Sequence, residues 1–304
     1  GSNQRLFSLY KELGERLQRN RTTDNINEVT SLEEELSKVS KKGMKIGLVP
    51  TMGALHNGHM ELIKQARRHS DYVIVSIFIN PLQFNQAEDF INYPSNLLKD
   101  SDKLKNAGVN LLFNPDAKLI YPKKPSVKID FGGLSRKLEG RFRLGHFEGV
   151  GLVVMKLFNL INPHIAFFGL KDIQQFVLIK HIVKEFSYPI KLEGIPTVRE
   201  ENGLALSSRN ALLSPSGIKI AAQIYKGLIW AKNNFETFHA SEALKIQLNN
   251  FYQTQEGLSI EYCEVLNSNT FKPLKSLESG KKITLCVAAY VEGVRLIDNI
   301  FLLE

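Results

Sequence analysis

Residues 45–59 read KIGLVPTMGALHNGH and combine the pattern of a β-strand with the start of a helix. The first part of this segment, Lys45–Val49, is a short apolar run that favours a β-strand, and Pro50 is predicted to end it. A helix is predicted from about Gly58, because apolar residues recur beyond it at the spacing of one buried face. Two histidines therefore lie between the end of a strand and the start of a helix.

Outward from this segment, strands and helices alternate along the chain. Tyr72–Ile79 is a continuous β-branched and aromatic run, typical of a strand buried on both faces. Further strands are predicted at 109–113, 165–168 and 190–198, and helices at 29–40, 94–107, 150–161 and 172–186. The alternation predicts an α/β fold with a Rossmann-like, doubly wound parallel sheet over residues 26–196. Residues 1–25 are polar and weakly patterned, and we expect them to form an N-terminal extension.

The pattern changes after Val198. Ser214-Pro215 predicts a helix start, because Ser is a good cap and Pro fits the first helical position. That helix is predicted to reach Asn233, with a second helix over 241–251 and strands over 260–266, 283–290 and 294–301. Val291-Glu292-Gly293 predicts a tight hairpin between the last two strands. Residues 197–304 are therefore predicted to form a smaller C-terminal α+β domain, which we expect to act as a lid.

Composition narrows the class of protein. The 304 residues include 43% hydrophobic and 23% charged side chains, which is typical of a globular protein. No apolar run approaches the ~20 residues of a membrane-spanning helix, so no membrane segment is predicted. The charge of +8 is diffuse, with no run of five like charges, and no nucleic-acid partner is predicted. The two cysteines, Cys263 and Cys286, suggest neither a disulfide framework nor a metal site, and a reducing cytoplasm is expected.

The two histidines, His56 and His59, have a chemical interpretation and a simpler structural one. An imidazole is a hydrogen-bond donor for phosphate oxygens, and a helix start adds a positive dipole and N–H groups. The intervening Gly58 allows a phosphate to approach the backbone closely. The alternative is two ordinary capping or surface histidines, and the position between a buried strand and a helix favours the phosphate interpretation.

The segment resembles the HxGH signature of the nucleotidylyltransferase superfamily, to which class I aminoacyl-tRNA synthetases belong. That resemblance implies a second loop that closes over a triphosphate, and Leu206–Arg209 is a match after the last strand of the nucleotide domain. Its two hydroxyls and one guanidinium suit phosphate oxygens. A Ser-rich turn between domains is the alternative.

Further short motifs resemble those of the pantoate–β-alanine ligase family, and the resemblance extends over about residues 26–304. They are VSIFINPLQF at 75–84, EDF at 88–90, YP at 93–94, GHFEGV at 145–150, FGLKDIQQ at 168–175, GLALSSRN at 203–210 and RLIDN at 295–299. The resemblance implies ATP-dependent ligation of pantoate and β-alanine through a pantoyl adenylate, with release of AMP and pyrophosphate. It also implies MgATP as substrate and a homodimer formed through the nucleotide domain.

The resemblance assigns roles to individual residues. His59 is expected to be the proton donor or transition-state stabiliser, and His56, Lys171 and Arg209 join it as catalytic residues. Gln83 and Gln175 are expected to hold pantoate, with Gln83 bordering the β-alanine site. The residues expected to contact ATP are Met52, Gly53, Ala54, Leu55, His56, Asn57, Gly58, His59, Gly169, Leu170, Lys171, Asp172, Val198, Leu206, Ser207, Ser208 and Arg209.

Several simpler alternatives stay open at this stage. Gln175 is also readable as an exposed helix residue, Lys171 as a salt-bridge partner and Asp172 as a helix cap. His146 is either a pocket residue or a packed core histidine, with packing slightly favoured. Glu88 and Asp89 either reach Mg²⁺ through water or are simply solvated.

The chain departs from the family's motifs at two positions: Leu170 stands where the family usually has Glu, and Leu206 where it usually has Met. The second exchange conserves volume, whereas the first removes a charge. The rival interpretations are another nucleotidylyltransferase on the same fold, which has no need for both glutamines, and a basic RNA-binding relative of the synthetases. The RNA-binding interpretation predicts a clustered basic stripe and stacking aromatics, and neither is evident in the sequence.

Overall fold

The computed structural model describes residues 25–26, 28–277 and 282–303. Most of the predicted N-terminal extension, residues 1–24, lies outside the described residues. The described chain divides into two compact units. The first runs up to Gly169 and takes in Leu178–Ile195, and the second contains Leu170–Val177 and the chain from Pro196 onward.

The first unit is built on a parallel sheet of six strands in the order β1-β4-β3-β2-β5-β6. The strands are β1 (Asn25–Ile26), β2 (Ile46–Thr51), β3 (Tyr72–Ile77), β4 (Leu111–Phe113), β5 (Ile165–Gly169) and β6 (Lys191–Ile195). Residues of β2 and β3 are almost entirely buried, as expected for strands covered by helices on both faces. The doubly wound α/β fold predicted from the alternation is confirmed.

The helices that surround this sheet are α1 (Val29–Lys41), α2 (Asn57–His69), α3 (Ala87–Ile91), α4 (Leu97–Asn106), α5 (Ala117–Ile120), α6 (Glu139–Phe142), α7 (His146–Ile161) and α8 (Ile173–Glu185). Helix α2 buries Leu62, Ile63 and Ala66 against the sheet. The short helices α3, α5 and α6 have no counterpart in the predicted elements, because four or five residues are too few to show a helical period.

Pro50 does not end β2, contrary to the prediction. The strand continues to Thr51 because β2 pairs with β5 only at Gly47 and Leu48, whereas its pairing with β3 runs from Ile46 to Thr51. Pro50 lies beyond the shorter ladder, so its missing N–H breaks no hydrogen bond there.

The order of strands reverses between β2 and β5. The chain adds β3 and β4 on one side of β2, and then returns to place β5 and β6 on the other side. In open parallel sheets of this kind, ligands bind beyond the carboxyl ends of the strands at such a reversal. The residues that follow β2, beginning with Met52, are therefore in the position where a ligand site is expected.

The second unit includes the start of α8, the helices α9 (Pro215–Asn234) and α10 (Ser241–Gln253), and an antiparallel sheet β7-β8-β9. Its strands are β7 (Leu258–Asn267), β8 (Ile283–Val291) and β9 (Val294–Leu303). Ser214 caps α9 by accepting a hydrogen bond from the Gly217 N–H, as predicted. Glu292 and Gly293 form the two-residue hairpin loop, and their φ angles of 52° and 78° are those of a type I′ turn.

None of the helices within the described parts of the chain is both long and apolar enough to cross a lipid bilayer.

Candidate active site

The loop between β2 and α2 is shaped by buried hydrogen bonds. Thr51 Oγ1 donates to the carbonyl of Ser76 at 2.9 Å and accepts from the Gly53 N–H at 3.2 Å. The carboxylate of Asp100, which is 2% exposed on α4, accepts from the N–H groups of Ala54 and Leu55 at 2.8 and 2.9 Å. Together these bonds fix the path of the chain that leads into the histidines.

Gly53 and Ala54 turn the loop by adopting left-handed backbone conformations, with φ angles of 83° and 51°. A Cβ on Gly53 would stand 3.2 Å from the Asp100 carboxylate and 3.2 Å from the side chain of Ile77. Glycine is therefore required here by both the positive φ angle and the close approach of Asp100.

His56 and His59 are fixed at the start of α2 by hydrogen bonds to their Nδ1 atoms. His56 Nδ1 accepts from the Gly58 N–H at 3.1 Å, and the His56 N–H donates to His59 Nδ1 at 3.3 Å. The two ring centroids are 4.1 Å apart. Because Nδ1 of each ring is an acceptor, each neutral imidazole carries its proton on Nε2. The pair lies just beyond the end of β2, where the chain enters α2.

This geometry modifies the expectation that the start of α2 offers unpaired N–H groups. Within the loop, the N–H groups of Gly53, Ala54, Leu55, His56 and Gly58 all donate to protein side chains. The capping and phosphate-binding interpretations of the histidines are therefore compatible, because capping uses only Nδ1 of each ring.

Gln83 lies in the 3₁₀ turn Pro81–Gln83 that follows β3, and its side chain is 7% exposed. Asn80 Nδ2 donates to Gln83 Oε1 at 3.1 Å, which orients the amide. Gln83 Nε2 is 3.0 Å from Met52 Sδ, a weak acceptor. Gln83 and Met52, two residues expected at the site, are thereby in contact.

The Gln83 turn is supported by α7 and by Tyr121, which follows α5. Asn80 Nδ2 also donates to the carbonyl of Gly149 at 3.0 Å, and a Cβ on Gly149 would clash with the backbone of Leu82. Tyr121 donates its hydroxyl proton to Asn80 Oδ1 at 3.0 Å, and burial raises the pKa of Tyr121, so that the hydroxyl stays protonated. Asn80 is thus the anchor that fixes the amide of Gln83.

His146 is a packed histidine, as the sequence slightly favoured. Its side chain is 6% exposed, Nδ1 lies 2.9 Å from the carbonyl of Gln83, and Nε2 lies 3.2 Å from Arg143 Nη1. A carbonyl on one side and a guanidinium on the other require Nδ1 to donate and Nε2 to accept. His146 therefore supports the Gln83 turn through a hydrogen bond to the Gln83 carbonyl.

In the second unit, Leu170–Asp172 forms a 3₁₀ turn. The side-chain amide of Asn299 on β9 donates to the carbonyls of Leu170 and Lys171 at 2.9 and 2.8 Å. The side chain of Lys171 is half-buried and that of Asp172 is exposed. The turn that carries the expected phosphate-binding lysine is therefore attached to the C-terminal sheet.

Val198 and Leu206 are brought together as opposite sides of a small hairpin. The Leu206 N–H donates to the carbonyl of Val198 at 3.0 Å, and Gly203, with φ of 92°, turns the chain. Ser207 Oγ accepts from the Arg209 N–H at 3.3 Å and so caps the 3₁₀ turn Ser208–Leu212. The segment expected at the adenine and the segment expected at the phosphates are thus neighbours.

Arg199 fixes this hairpin to β9. Its guanidinium makes a two-pronged ion pair with Asp298 at 2.6 and 2.9 Å, donates to the carbonyl of Gly203 at 3.1 Å, and lies 3.6 Å above the ring of Tyr225. Asp298 is 5% exposed; burial raises the pKa of its carboxyl, and the Arg199 guanidinium opposes that shift.

The remaining expected residues differ in their exposure. Gln175 is half-buried on α8, Glu88 is exposed and Asp89 half-buried on α3. Within the part of the chain that the structure describes, there is no group of three His, Cys, Asp or Glu side chains arranged to hold a metal ion. His164 is structural, because its Nδ1 accepts from the Ile46 N–H at 3.0 Å.

The sequence did not identify several residues that shape the site. Asp100 and Arg199 lie in no motif that the sequence analysis identified, and Asn80, Asp298 and Asn299 appeared there only as members of family motifs without an assigned role. Asp100 sits in a helix rich in other charges, so its burial leaves no signal in the periodicity. For Asp298 and Asn299, two polar side chains in an otherwise apolar strand are the signal that could have found them.

The chain is similar to known proteins of one family along most of its length. The model of the Pantoate-beta-alanine ligase family matches residues 24–301. Pantothenate synthetase of Cytophaga hutchinsonii is 43% identical over 284 residues, covering 92% of this chain and 99% of the relative. The pantothenate synthetase of Christiangramia forsetii is 45% identical over 273 residues, covering 89% and 96%.

Solved structures agree with the sequence relatives. Pantothenate synthetase from Thermus thermophilus has a TM-score of 0.85 at 35% identity, covering 93% of this chain and 100% of that one. A pantoate–β-alanine ligase from Francisella tularensis, complexed with βγ-ATP and β-alanine, has a TM-score of 0.75 at 37% identity, covering 92% and 98%.

A doubly wound parallel sheet with a paired-histidine loop at its topological reversal defines an α/β nucleotide-binding enzyme. The family model covers nearly the whole chain and the relatives match along nearly their full length. The chain belongs to the pantoate–β-alanine ligase family, and it is a ligase that joins pantoate to β-alanine in an ATP-dependent reaction.

Proposed function

We propose that this ligase works through a pantoyl adenylate. The pantoate carboxylate attacks the α-phosphorus of ATP, the bond to the β-phosphate breaks, and pyrophosphate leaves. The neutral amine of β-alanine then attacks the acyl carbon, so that AMP leaves with the bonding electrons and the amine loses a proton. The products are pantothenate, AMP and pyrophosphate, and no protein nucleophile is required, because the enzyme orients the reactants and stabilises developing charge.

The observation that carries this proposal is the placement of His56 and His59 in the loop after β2, where Nδ1 of each ring accepts a backbone hydrogen bond and Nε2 is the proposed phosphate donor. Backbone hydrogen bonds to Nδ1 fix both tautomers, so the donors are set before substrate arrives. Negative charge builds on the α-phosphate oxygens as the carboxylate attacks, and two fixed donors stabilise that charge. We assign His59 the main role and His56 a supporting one, within an ATP-binding segment that spans Met52–His59.

The second unit is proposed to bind the rest of the nucleotide. Val198 and Leu206, joined in one hairpin, suit the apolar adenine, and the following residues Ser207, Ser208 and Arg209 suit phosphate oxygens. Lys171, in the turn Leu170–Asp172, supplies a point charge for the leaving pyrophosphate. Mg²⁺ is proposed to enter as part of the MgATP substrate.

Gln83 is proposed to bind pantoate, with Gln175 as the second amide. Gln83 Oε1 already accepts from Asn80, whereas Gln83 Nε2 contacts the thioether of Met52. A carboxylate or hydroxyl oxygen of pantoate is a far better acceptor than sulfur, so exchange of Met52 Sδ for substrate is favourable. This contact supports assigning Gln83 as a pantoate donor.

We further propose a homodimer formed through the first unit, in the cytoplasm. The buried thiols of Cys263 and Cys286 fit a reducing compartment. Exposed apolar side chains at Phe142 and Leu144 support association through the first unit. Light scattering should give twice the chain mass of 34.4 kDa at micromolar concentration, and a species of a single chain mass would refute the dimer.

The experiment for the chemistry is to supply ATP, pantoate, β-alanine and Mg²⁺ and to identify the products. AMP and pyrophosphate should form in equal amounts, and their formation should depend on pantoate. With ATP, pantoate and radiolabelled pyrophosphate but no β-alanine, label should enter ATP, because the first step is reversible. Detection of ADP and phosphate instead would contradict the adenylate route.

A further inference from the structure

We propose that Asn299 is a positioning residue for ATP, which acts by holding the Lys171 turn through two hydrogen bonds, with Asp298 and Arg199 fixing Asn299 in turn. The inference rests on the proposed role of the Leu170–Asp172 turn in binding the triphosphate. All the residues concerned belong to the second unit.

The contact between Asn299 and the turn is specific. Both bonds come from the same nitrogen, Nδ2, to the carbonyls of two successive residues, Leu170 and Lys171, at 2.9 and 2.8 Å. Asn299 is 6% exposed, so little water is available to replace these bonds. The two protons of the amide match the two carbonyls, and other side chains of similar size lack that match.

Asn299 is itself held by its neighbours. Its N–H donates to Asp298 Oδ1 at 2.8 Å, and its carbonyl accepts from Arg199 Nη2 at 3.4 Å. Arg199 also pairs with Asp298 and donates to the carbonyl of Gly203 in the Val198–Leu206 hairpin. One network therefore fixes both segments of the second unit that are assigned to ATP.

The network has a consequence for phosphate binding. In a helical turn the carbonyls and the N–H groups point in opposite directions along the axis. Asn299 draws the carbonyls of Leu170 and Lys171 to β9, and so keeps two partial negative charges engaged away from a bound triphosphate. It also limits the positions from which Lys171 Nζ reaches phosphate, which lowers the ordering cost of binding ATP.

The test compares Asn299→Ala with Asn234→Ala. Asn234 is a matched control in the same unit, because its Nδ2 also donates to a backbone carbonyl, that of Trp230, at 2.7 Å. Asn299→Ala should raise KM for ATP by about tenfold, the loss expected for a buried hydrogen-bonded donor, with kcat within about threefold and KM for pantoate unchanged. Asn234→Ala should leave all three constants unchanged.

Asn299→Asp separates hydrogen bonding from packing. Aspartate keeps the shape but places oxygen against two carbonyl oxygens, so KM for ATP should rise at least as much as in Asn299→Ala. If Asn299→Asp binds ATP like the wild type, or if all substrates weaken equally in Asn299→Ala, the positioning role is wrong.

Arg199→Lys tests the network without removing its charge. Lysine cannot make the two-pronged ion pair with Asp298, so KM for ATP should rise severalfold. The control is Glu261→Gln, which weakens the ion pair with Arg295 on the same sheet and should leave KM for ATP unchanged. An unchanged KM in Arg199→Lys overturns the role of the network, and this variant decides the matter if Asn299→Ala does not fold. Failure of the proposed function is distinct, because the wild-type chain would then form no AMP from ATP and pantoate.

Discussion

For single residues, the start of α2 shows how one imidazole caps a helix in a way that is compatible with its proposed chemical role. Nδ1 of His56 and His59 satisfies backbone N–H groups, and this use dictates that Nε2 carries the proton. A glutamine or serine cap would satisfy the same backbone groups without presenting a ring donor on its far side. Histidine at these positions therefore suits both the observed capping and the proposed catalytic role.

His59→Ala should lower kcat by ~10²–10³, which is the usual cost of removing one transition-state donor. ATP binding measured by calorimetry should change little, because the donor acts on charge that develops in the reaction. The matched control is His69→Ala at the other end of α2, which is exposed and should retain full activity. A kcat of His59→Ala within a few-fold of wild type would remove His59 from its assigned role.

Leu170→Glu should change kcat/KM by less than about tenfold, or ~1.4 kcal/mol of transition-state stabilisation. Asn299 binds the carbonyl of Leu170, so the turn is held through backbone rather than through this side chain. Leu170 lines a cavity of about 430 Å³ whose walls include Lys232 and Lys282, so a glutamate there would meet positive charge.

Lys171→Ala is the comparison for Leu170→Glu and should cost considerably more in kcat/KM, because it removes a charge assigned to phosphate. Both variants are assayed at saturating pantoate and β-alanine with ATP varied. A hundredfold gain in Leu170→Glu would mean that the leucine impairs the enzyme.

At the scale of elements, α4 determines the conformation of the loop that follows β2. Asp100 takes the N–H groups of Ala54 and Leu55, and the Lys103 ammonium donates to the carbonyl of Leu55. Three hydrogen bonds from one turn of α4 therefore hold the loop in place. Its rigidity depends on a carboxylate that lies 45 residues after Leu55 in the chain.

Asp100→Asn should lower kcat/KM by about tenfold or more and destabilise the fold by ~1–3 kcal/mol. The amide retains one acceptor and turns an NH₂ group toward a loop N–H, which leaves one donor without a partner. Asp102→Asn on the same helix is the control, because Asp102 is exposed. Thermal melts and steady-state kinetics on both variants measure the two effects, and equal behaviour of the two would contradict the role of Asp100.

At the scale of the whole molecule, the second unit has a core of its own that includes the strands of both cysteines. Cys263 and Cys286 are buried on the adjacent strands β7 and β8. Burial raises the pKa of the Cys263 thiol to about 12. Thiol chemistry therefore reports whether this unit is folded.

Native protein at pH 8 should react with Ellman's reagent slowly, and both thiols should react at once in denaturant. Because the folded state holds the Cys263 proton more tightly than the unfolded chain, the free energy of unfolding should fall as pH rises from about 9 to 12. Cys263→Ala should lose less stability over that range than the wild type. Rapid labelling of native protein would contradict the burial of both thiols.

Much of the architecture was readable from local sequence. The predicted helix 150–161 and strands 165–168, 283–290 and 294–301 fall within observed elements, because apolar periodicity and turn residues are local signals. The hairpin at Glu292-Gly293 was also confirmed, since only residues tolerant of positive φ close such a turn. The His56 and His59 motif placed the loop after the first predicted strand, which is where the structure has it.

The alternation of elements, the family and the residue types at the site follow from the amino-acid sequence. The packing of distant segments was needed to show that Pro50 stays within a strand, that Asp100 holds the histidine loop, and that Asn299 holds the Lys171 turn. The reason is that each depends on a partner remote in sequence: the short ladder to β5 for Pro50, a loop 45 residues earlier for Asp100, and a turn 128 residues earlier for Asn299. The residues next to a position in the chain do not reveal such contacts, because its burial and its hydrogen-bond partners are set only when distant segments pack together.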